Sequence, residues 1–551
     1  MSVIEQPLEY RRLVAPREDR GLLIDPPAED IGNCVERNLT RRHDDATNVD
    51  LQGRTITELA TAAREQLIRA ALEHTRSYRD IALEQCGVGS ESTAGQGLIF
   101  LAGHQPNLFH AGVWCKNFAL AHMAQQAGAT AINLLIDSDA VKRTSIRVPG
   151  GTTTSPRLHA LELDAPPPNN LPYEEYSIAD RQLFDSFGIR ATEAISSLIP
   201  DPLIRSFWPQ VVERADATGL LGLSLAQARH QTEGNWGIHT LELPQSTICQ
   251  LESFHYFTAH LLAHLPRFWD IYNGAVHEYR RVHKIRGTAH PVPDLAVKDS
   301  LLEAPFWVWD ANDRQRRHLF VGQKGSELRL TDRADIDVQL SATADGDLDL
   351  ATEQLAALAT RGIKIRTRAL VTTMFARLFL GDLFIHGIGG AKYDALTDLL
   401  VRRFFHVEPP EFVTVSATLQ LPIEREKHSS DDVRRIQHQL RELVYHPETV
   451  LRDSEIDRSE ELKKIADLKR HWVQTVPTPE NVQARHRAIS GANESMQPFV
   501  ASRHAELRSQ QEQLLTAVRN ERILASREHE FCFYPAQQLQ DFLLDYLPAR
   551  V

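Results

Sequence analysis

Residues 98–139 constrain the fold more than any other stretch of the sequence. Apolar runs over 98–102 and 131–136 predict two buried strands, and apolar positions at helical spacing over 111–128 predict a helix between them that ends at Gly128. A polar turn separates the first strand from the helix, and the second strand runs into two aspartates. This order predicts a strand–helix–strand unit whose ligands bind at the carboxyl ends of the strands.

A second segment of the same character begins near residue 363. A short apolar run over 383–385 predicts another buried strand, residues 387–390 predict a flexible glycine turn, and residues 391–405 predict an amphipathic helix. Glycine allows the backbone to approach a ligand closely, and a helix amino terminus attracts anions through its unpaired N–H groups. The two segments therefore predict the two halves of one α/β core.

Charged residues and apolar stripes at helical spacing dominate the chain beyond Pro422. The pattern predicts three long helices, which begin near Ser429, Leu462 and Phe499, and Pro447 ends the first of them. The apolar positions of the third helix are seven or four residues apart, which is typical of a coiled coil: Val500, Leu507, Leu514 and Val518. We interpret this region as an antiparallel helical hairpin or coiled coil that serves for dimerisation or as a structural arm, and we predict a homodimer through the coiled coil.

The chain of 551 residues exceeds the size at which one hydrophobic core keeps growing, so we predict several domains. The predicted fold class is α/β, with a Rossmann-like parallel-sheet core, helical insertions and a C-terminal antiparallel coiled-coil domain. The predicted boundaries are 1–97 for an N-terminal arm and helix, 98–165 for the first half of the core, 166–362 for a helical and hairpin insertion, 363–421 for the second half of the core, and 422–551 for the helical coiled-coil domain and tail.

Charge and cysteine usage argue against several classes of protein. A formal net charge of -12 gives no reason to expect a nucleic-acid partner. The five cysteines are scattered without a C-x-x-C pair, which argues against a disulfide framework or a zinc knuckle. The sequence shows neither an apolar run that could cross a bilayer nor the pattern of a secretion signal. We expect a cytoplasmic protein with neither nucleic acid nor membrane as a partner.

Two histidines beside the polar turn are candidate catalytic residues. His104 and His110 could donate to phosphate oxygens or act as acid or base near neutral pH. The neighbouring Gln105 and Asn107 could fix an amide or a hydroxyl group of a substrate. Alternatively, these side chains satisfy backbone groups at the turn and at the start of the helix.

Asp137 and Asp139 are the other candidate catalytic residues. They lie two apart after a strand, so both carboxylates could face one loop mouth and hold an ammonium group or a magnesium ion. Alternatively, they cap the next element of structure. Cys115 lies inside the predicted helix without an identifiable base, so we expect a buried and inert thiol. We assign no metal site.

Two short segments resemble a known family. GHQPNLFHAG, at 103–112, resembles a glycine-glutamine-glutamine, leucine-phenylalanine, glycine motif of the cysteine-adding enzyme (cysteine ligase) of bacillithiol biosynthesis, and the segment with Gly387, Gly389 and Tyr393 resembles a second motif of that family. The resemblance implies a Rossmann-like core related to class I nucleotidyltransferases and a coiled coil that mediates dimerisation. It also implies that substrate or nucleotide binds at the first motif, at Gly103, Gln105, Leu108, Phe109 and Gly112.

The sequence departs from the family where chemistry is expected. His104 stands in place of a glutamine, and Ile388 and Gly390 stand in place of a proline and a glutamate. Asp137 and Asp139, with a serine between them, stand in place of a longer acidic run. We therefore interpret the chain as a divergent relative, in which the fold transfers more readily than the substrate.

These observations lead to one predicted function and two alternatives. We predict a bacillithiol cysteine-ligase-like enzyme, a ligase or transferase that joins cysteine or another amino acid to a small metabolite such as a sugar conjugate through an activated carboxylate, with ATP as the candidate cofactor. The alternatives are a non-catalytic metabolite-binding or dimeric interaction protein of the same fold, and a metal-dependent hydrolase. The catalytic candidates are His104, His110, Asp137 and Asp139, and the substrate or nucleotide candidates are Gly103, Gln105, Asn107, Gly112, Gly387, Gly389, Gly390 and Tyr393.

Overall fold

The computed structural model describes residue 8 and residues 12–44, 48–89, 95–324, 327–451 and 459–545. The chain divides into two compact units. Unit 1 comprises Met1–Val148, His159–Leu421 and Arg527–Val551, and unit 2 comprises Pro149–Leu158 and Pro422–Ser526. One boundary of unit 2 coincides with the predicted boundary at 422, but the chain returns to unit 1 at Arg527 and does not stay in a separate C-terminal domain.

The strands and helices are numbered in chain order. The strands are β1 (Gly21–Asp25), β2 (Ile99–His104), β3 (Thr130–Leu135), β4 (Ser145–Gly151), β5 (Pro156–Glu162), β6 (Leu241–Pro244), β7 (Val297–Lys298), β8 (Leu301–Trp309), β9 (Arg317–Lys324), β10 (Glu327–Thr331), β11 (Asp337–Leu340), β12 (Lys364–Thr367), β13 (Leu383–His386) and β14 (Phe412–Thr418). The helices are α1 (Ile31–His43), α2 (Ile56–Arg76), α3 (Ala111–Ala127), α4 (Arg181–Ile195), α5 (Ile204–Thr218), α6 (Leu221–Asn235), α7 (Gln245–Ile248), α8 (Glu252–Ala263), α9 (Leu265–Val282), α10 (Asp349–Leu358), α11 (Ala369–Phe375), α12 (Ile388–Leu400), α13 (Ser430–Tyr445), α14 (Glu460–Gln474), α15 (Val482–Leu524) and α16 (Ala536–Asp545).

A six-stranded sheet forms the centre of unit 1, in the order β1-β14-β13-β2-β3-β6. Neighbouring strands from β14 to β6 are parallel, and β1 pairs with β14 in the antiparallel direction. From β2 the chain builds outward through β3 and β6, and later through β13 and β14 on the other side. The order of the strands therefore reverses between β2 and β13, which is where open α/β sheets bind their ligands.

The structure confirms the α/β class and the predicted strand–helix–strand unit. The ends of β2, α3 and β3 lie within two residues of the predicted ends, and Gly128 closes α3 in the left-handed conformation at φ 64°. Every residue of β3 is buried, because the sheet carries helices on both sides. One face packs against α2 and α8 in the largest apolar core of the described residues.

Two strands of the sheet lie where the sequence analysis places other structure. β1 and α1 lie within the predicted N-terminal arm, and β6 lies within the range 166–362 that we assigned to an insertion. β1 and β6 have five and four residues, which is too short for a periodic pattern to distinguish them from loops. Their pairing with β14 and β3 decides their structure.

A buried carboxylate joins β2 to β13. Asp382, which directly precedes β13, accepts hydrogen bonds from the Ile99 backbone N–H at 2.8 Å and from Arg64 at 2.9 Å, and it pairs with Arg42. Arg64 and Asp382 are both almost completely buried. Breaking a buried ion pair of this kind typically costs about 3–5 kcal/mol. Asp382 therefore connects both strands to α1 and α2.

A second sheet in unit 1 is antiparallel, in the order β11-β10-β9-β8-β12, with β7 beside β8. β8 and β9 form an antiparallel hairpin inside the range 166–362, where the sequence predicts a helical and hairpin insertion, and Trp309 is buried in it. β4 and β5 form a separate pair. In the described residues, no helix is both long and apolar enough to cross a membrane.

Unit 2 contains three long helices, α13, α14 and α15. α13 begins at a capping box formed by Ser429 and Asp432, as the sequence predicts. Two small apolar clusters hold the helices together, and their buried members are Leu443, Val500 and Leu507 in one, and Leu462, Ala466 and Met496 in the other. α15 begins at Val482, well before the predicted start at Phe499, because Pro498 is accommodated inside the helix. The coiled-coil arrangement itself stays a prediction.

The approach of α3 to β14 depends on one glycine. A Cβ atom at Gly112 would lie 2.1 Å from the carbonyl oxygen of Ala417 and 2.7 Å from the Arg527 guanidinium. Because real Cβ atoms do not approach a backbone oxygen so closely, a larger residue at this position would force α3 away from the sheet. Gly112, which the resemblance places in the ligand site, thus has a packing role that requires no ligand.

We predict that Gly112→Ala destabilises unit 1 by about 1–3 kcal/mol, because the added methyl group overpacks the contact between α3 and β14. Gly274→Ala is the matched control, since Gly274 is exposed inside α9 and nothing lies within 4 Å of its Cβ position. Alanine should stabilise that helix by up to about 1 kcal/mol. Urea unfolding followed by circular dichroism measures both changes, and equal stability of the two variants would contradict the packing role.

Candidate functional site

The carboxyl ends of β2 and β13 meet at the point where the strand order reverses. Ala102 lies opposite Ile385 in parallel register, so the segments that follow the two strands start side by side. We call residues 103–107, Lys116 and residues 387–390 the switch-point site. The structure thus brings the two halves of the predicted α/β core together, although they are far apart in sequence.

Lys116 lies between the two halves, and the sequence analysis does not select it as a site residue. Its side chain comes from α3, is 5% exposed and donates a hydrogen bond from Nζ to the carbonyl oxygen of Gly103 at 2.9 Å. A Cβ atom at Gly387 would lie 3.6 Å from its Cδ, so the aliphatic part passes beside that glycine. Burial and the nearby Arg229 lower the pKa of Lys116 to about 8.

No carboxylate among the described residues forms a salt bridge with Lys116. Its recorded hydrogen-bond partner is a neutral backbone carbonyl, which satisfies one of the three N–H groups of an ammonium ion. A buried cation is costly unless it is paired with an opposite charge. The electrostatics of the switch-point site therefore favour an anion.

The amino terminus of α12 supplies a second anion-attracting element. Gly387 is the N-cap, in an extended conformation, and no side chain accepts a hydrogen bond from the first turn. Gly389 and Gly390 are exposed. The predicted flexible turn over 387–390 is therefore helical from Ile388 onward, and we correct the start of this helix from residue 391 to 388. Glycines obscure a helix start because their intrinsic preference opposes a helix.

His386 ends β13 as His104 ends β2, and the sequence analysis missed it. Its Nε2 lies 2.8 Å from Asp394, which also accepts hydrogen bonds from Arg377 and Thr373. Burial alone would raise the pKa of Asp394, but Arg377 and His386 more than offset this and hold it well below its usual range. A Cβ at Gly390 would lie 2.6 Å from the imidazole, so His386 explains why this position is glycine.

His104 is buried and faces away from solvent. Its Nδ1 lies 3.1 Å from the Gln105 carbonyl oxygen, and its ring meets the Phe109 ring edge-on at 4.9 Å between centroids. Burial, together with Arg229 and Lys116, lowers the pKa of His104 well below its usual value. The imidazole is therefore neutral near pH 7 and does not act there as a cation for phosphate.

His110 is the N-cap of α3. Its Nδ1 accepts a hydrogen bond from the Gly112 N–H at 3.1 Å, and its Nε2 lies 3.7 Å from Glu528. Burial lowers the pKa of His110 to about 4, although Glu528 opposes this effect. These contacts match the alternative interpretation of His110, in which it satisfies the start of the helix.

A segment from the end of the chain lies against the polar turn. The Phe531 N–H donates to the Phe109 carbonyl at 2.8 Å, and Glu530 pairs with the His110 backbone. Burial raises the pKa of Glu530 to about 7, against the attraction of Arg143. Glu530 can therefore exchange a proton near neutral pH. No local motif marks it, because it reaches the site only through the fold.

The two predicted catalytic aspartates have different surroundings. Both oxygens of Asp137 accept hydrogen bonds from Ser246, one from its backbone N–H at 2.9 Å and one from its hydroxyl, so Asp137 caps the short helix after β6. Burial and Glu174 raise the pKa of Asp137 to about 7. Asp139 is partly exposed and accepts hydrogen bonds from Gln105 and Arg316, each at 3.1 Å. Of the two, Asp139 is the carboxylate that a ligand can reach.

The remaining predicted site residues are divided between the site and the core. Gly103 and Gln105 lie in the switch-point site, and Asn107 contacts the hydroxyl group of Tyr173. Tyr393 is half-buried and packs against the main apolar core. In the described part of the chain, no three His, Cys, Asp or Glu side chains form a group that could hold a metal ion. Cys115 is buried, and burial raises the pKa of its thiol to about 12.

No protein-family model matches the sequence, and no curated protein is similar to it.

We predict that Glu530→Gln changes the pH dependence of stability. Because the pKa of Glu530 is raised on folding from an ordinary value of 4.5 to about 7, its contribution to stability is present at low pH and is lost as the pH rises through 7. Glutamine mimics the protonated form, so the variant should gain up to about 3 kcal/mol over the wild type above pH about 8 and nothing below pH about 4.5.

Urea midpoints across this pH range provide the measurement. Glu193→Gln, a substitution of an exposed carboxylate in α4, is the control and should leave the pH profile unchanged. A constant difference between Glu530→Gln and the wild type at every pH would show that Glu530 does not titrate in this range.

Proposed function

We propose that the protein is an enzyme that binds an anionic small molecule at the switch-point site and joins an amino acid to a small metabolite through an activated carboxylate. The observation that carries the proposal is the convergence of two positive elements, the uncapped amino terminus of α12 and the buried Lys116 ammonium, which forms no salt bridge with a carboxylate among the described residues. Helix amino termini and lysine are the recurrent ligands of phosphate groups. The reaction class follows the resemblance to the bacillithiol cysteine ligases.

The strand order supports a Rossmann-like core of the kind found in nucleotide-binding enzymes. In such sheets the nucleotide lies at the reversal of strand order, against the amino terminus of a helix. Here those positions are Gly103 and Gly387, and Lys116 lies beside both. ATP would fit this donor set and would supply the phosphoryl or adenylyl group that activates a carboxylate.

Two carboxylates are suited to the amine side of the reaction. Asp139 is partly exposed at the end of β3, next to β2, so it can hold the ammonium group of an amino acid. Glu530, with a pKa of about 7, can accept a proton when an amine attacks. Lys116 stabilises negative charge that develops on the anion. His104 and His110 orient the turn and the start of α3, and both are neutral near pH 7 because burial lowers their pKa.

The anion site can be tested without changing its packing. Nothing lies within 4 Å of a Cβ at Gly389, so Gly389→Asp should fold, and an acidic residue in the first turn of a helix stabilises it. The same carboxylate should repel a bound anion. We expect ATP, ADP or inorganic phosphate to raise the melting temperature of the wild type and of the control Gly389→Ala, and to bind Gly389→Asp about ten-fold or more weakly.

Calorimetric titration of the three proteins measures the affinities. If none of the phosphates, nor cysteine, raises the melting temperature of the wild type, the proposal is wrong. Equal phosphate affinity of the two Gly389 variants would place the anion elsewhere. Binding without any condensed product after incubation with ATP, an amino acid and sugar carboxylates would favour the alternative of a non-catalytic metabolite-binding protein.

Lys116→Met should also weaken phosphate binding by about ten-fold or more, because a hydrogen bond to a charged group contributes about 1.5–3 kcal/mol. Lys392→Met is its control, since Lys392 is exposed on α12, four residues beyond the start of that helix. If both substitutions weaken binding equally, general surface charge accounts for the effect and Lys116 has no specific role.

We also propose that the protein is a homodimer formed through unit 2. Fifteen large apolar side chains are exposed in the described residues, and ten of them belong to unit 2, although unit 2 is the smaller unit. Leu468 and Val473 on α14 and Leu515 on α15 are each between 45% and 51% exposed. A contiguous patch of exposed apolar groups marks a surface that pairs with another chain, and we propose that these side chains form such a patch in the dimer.

Substitution of the exposed apolar residues tests the dimer directly. We expect Leu468→Lys combined with Leu515→Lys to convert a dimer into a monomer in sedimentation velocity, with unchanged helicity. Ile189→Lys, at a 66% exposed position of α4 in unit 1, should remain dimeric. A wild type that sediments as a monomer would refute the proposal, as would a dimer that survives the double substitution.

A further inference from the structure

Four buried side chains, that of His104 in the switch-point site and three others behind it, carry polar atoms that have no hydrogen-bond partner among the described residues. They are the Nε2 of His104, the Oδ1 of Asn117, both amide atoms of Asn133 and the Oε2 of Glu233. All four residues are 5% exposed or less. A buried polar atom without a partner costs about 1–3 kcal/mol, so four residues of this kind in one place require an explanation. We call them the polar cluster.

The members of the cluster lie together because the sheet and two helices converge there. Ala102 pairs with Asn133 and His104 pairs with Leu135, so His104 and Asn133 lie on the same face of the sheet as diagonal neighbours. On the other side of Asn133, its paired residue on β6 is Glu242. Arg229 from α6 pairs with Glu242 and also with Glu233 at 2.5 Å.

Asn117 connects this group to His104. Its Nδ2 donates to Oε1 of Glu233 at 2.8 Å. The Oδ1 of Asn117 and the Oε2 of Glu233 belong to the same amide and the same carboxylate, so both atoms lie near this hydrogen bond. Asn117 also interacts with the His104 ring and favours its protonated form. If the amide of Asn117 were reversed, its Nδ2 could serve His104, but its oxygen would then face the Glu233 carboxylate. One amide cannot satisfy both neighbours.

The cluster has too few donors. A carbonyl oxygen only accepts, so the Nδ1 of His104 must be the donor to Gln105, and the neutral ring then leaves Nε2 as an acceptor. The Oδ1 atoms of Asn117 and Asn133 and the Oε2 of Glu233 are acceptors too. Against these four acceptors stands the Nδ2 group of Asn133. Whatever satisfies the cluster must donate hydrogen bonds and must be small enough for a fully enclosed space.

Glu233 shows the same imbalance within one carboxylate. Its Oε1 accepts from Trp114, Asn117 and Arg229, whereas Oε2 has no protein partner among the described residues. Arg229 uses one guanidinium nitrogen for Glu233 and another for Glu242. The described residues thus supply no donor to the Oε2 of Glu233.

We propose that the polar cluster is an internal water site whose water molecules donate to His104 and Glu233, and that this water site fixes the tautomer and the orientation of His104 in the switch-point site. Buried waters typically make about three hydrogen bonds to groups that the protein leaves unsatisfied, and this cluster offers both acceptors and a donor. His104 is then a positioning residue, which holds Gln105 through its backbone carbonyl. The water site does not depend on the proposed function, whereas the role of His104 beside the ligand rests on it.

The change in melting temperature of Asn133→Leu distinguishes a cluster that contains water from a dry cluster with unsatisfied polar atoms. If water bridges Asn133 to its neighbours, Asn133→Leu removes two bridging partners and the melting temperature should fall by several degrees. If the cluster is dry, leucine replaces an unsatisfied amide with apolar packing and the melting temperature should rise. Asn38→Leu calibrates the scale, because Asn38 is also buried and is hydrogen-bonded to the Asp382 and Glu411 backbones.

Two further measurements do not depend on stability. A high-resolution crystal structure should show ordered water within hydrogen-bond distance of the His104 Nε2 and of Asn133. Nitrogen NMR of the imidazoles should show His104 as the Nδ1-protonated tautomer with a hydrogen-bonded Nε2, and the Nε2 signal should shift in Asn133→Leu. A melting temperature that rises in Asn133→Leu, or a crystal structure with no water at the cluster, overturns the proposal. Neither result affects the phosphate titrations of the Gly389 variants, so failure here and failure of the proposed function are separable.

Discussion

The parallel pairing of β2 with β13 is the constraint on which the rest of unit 1 depends. It joins segments that are far apart in the chain, since Ile99 and Asp382, which are hydrogen-bonded across the start of the two strands, are separated by 283 positions. Asp382 holds this pairing through Arg42, Arg64 and the Ile99 N–H. A buried charge that must find two particular cations tolerates no shift of register without exposing an unpaired ion. The opposite ends of the same strands then place Gly103 beside Gly387.

The charges around the switch-point site follow from burial as much as from residue type. His104 and His110 are the polar residues that the sequence makes most conspicuous, yet burial keeps both neutral. The positive charge at the site comes from Lys116, whose stem crosses the protein interior from α3. Burial acts in the opposite direction on Glu530, whose pKa it raises to about 7. The groups suited to phosphate binding and to proton transfer are thus ones that a motif search overlooks.

Local pattern was sufficient where an element is long and has a definite end. α3 follows from its apolar spacing and from the left-handed cap at Gly128. Pattern failed for the strands β1 and β6 and for a helix start built from glycine, although an apolar run was sufficient to predict the equally short β13. β6 spans only four residues between helices, and α12 begins with Ile388 and two glycines. Neither segment has enough apolar residues for a hydrophobic periodicity to be recognised. The predicted start of α15 at Phe499 was too late, because Pro498 lies inside this long helix and does not precede it.

The sequence by itself determined the α/β class, the strand–helix–strand unit and the two segments that meet at the site. These features depend on hydrophobic periodicity and glycine caps, which act between residues only a few positions apart in the chain. Tertiary structure alone decided which polar residues do what there. Asp137 caps the helix after β6, Gly112 packs against Ala417, and Lys116 places a positive charge between the segments that follow β2 and β13. Each of these roles depends on a partner from another strand or helix, and burial sets the protonation state only after those partners are in place.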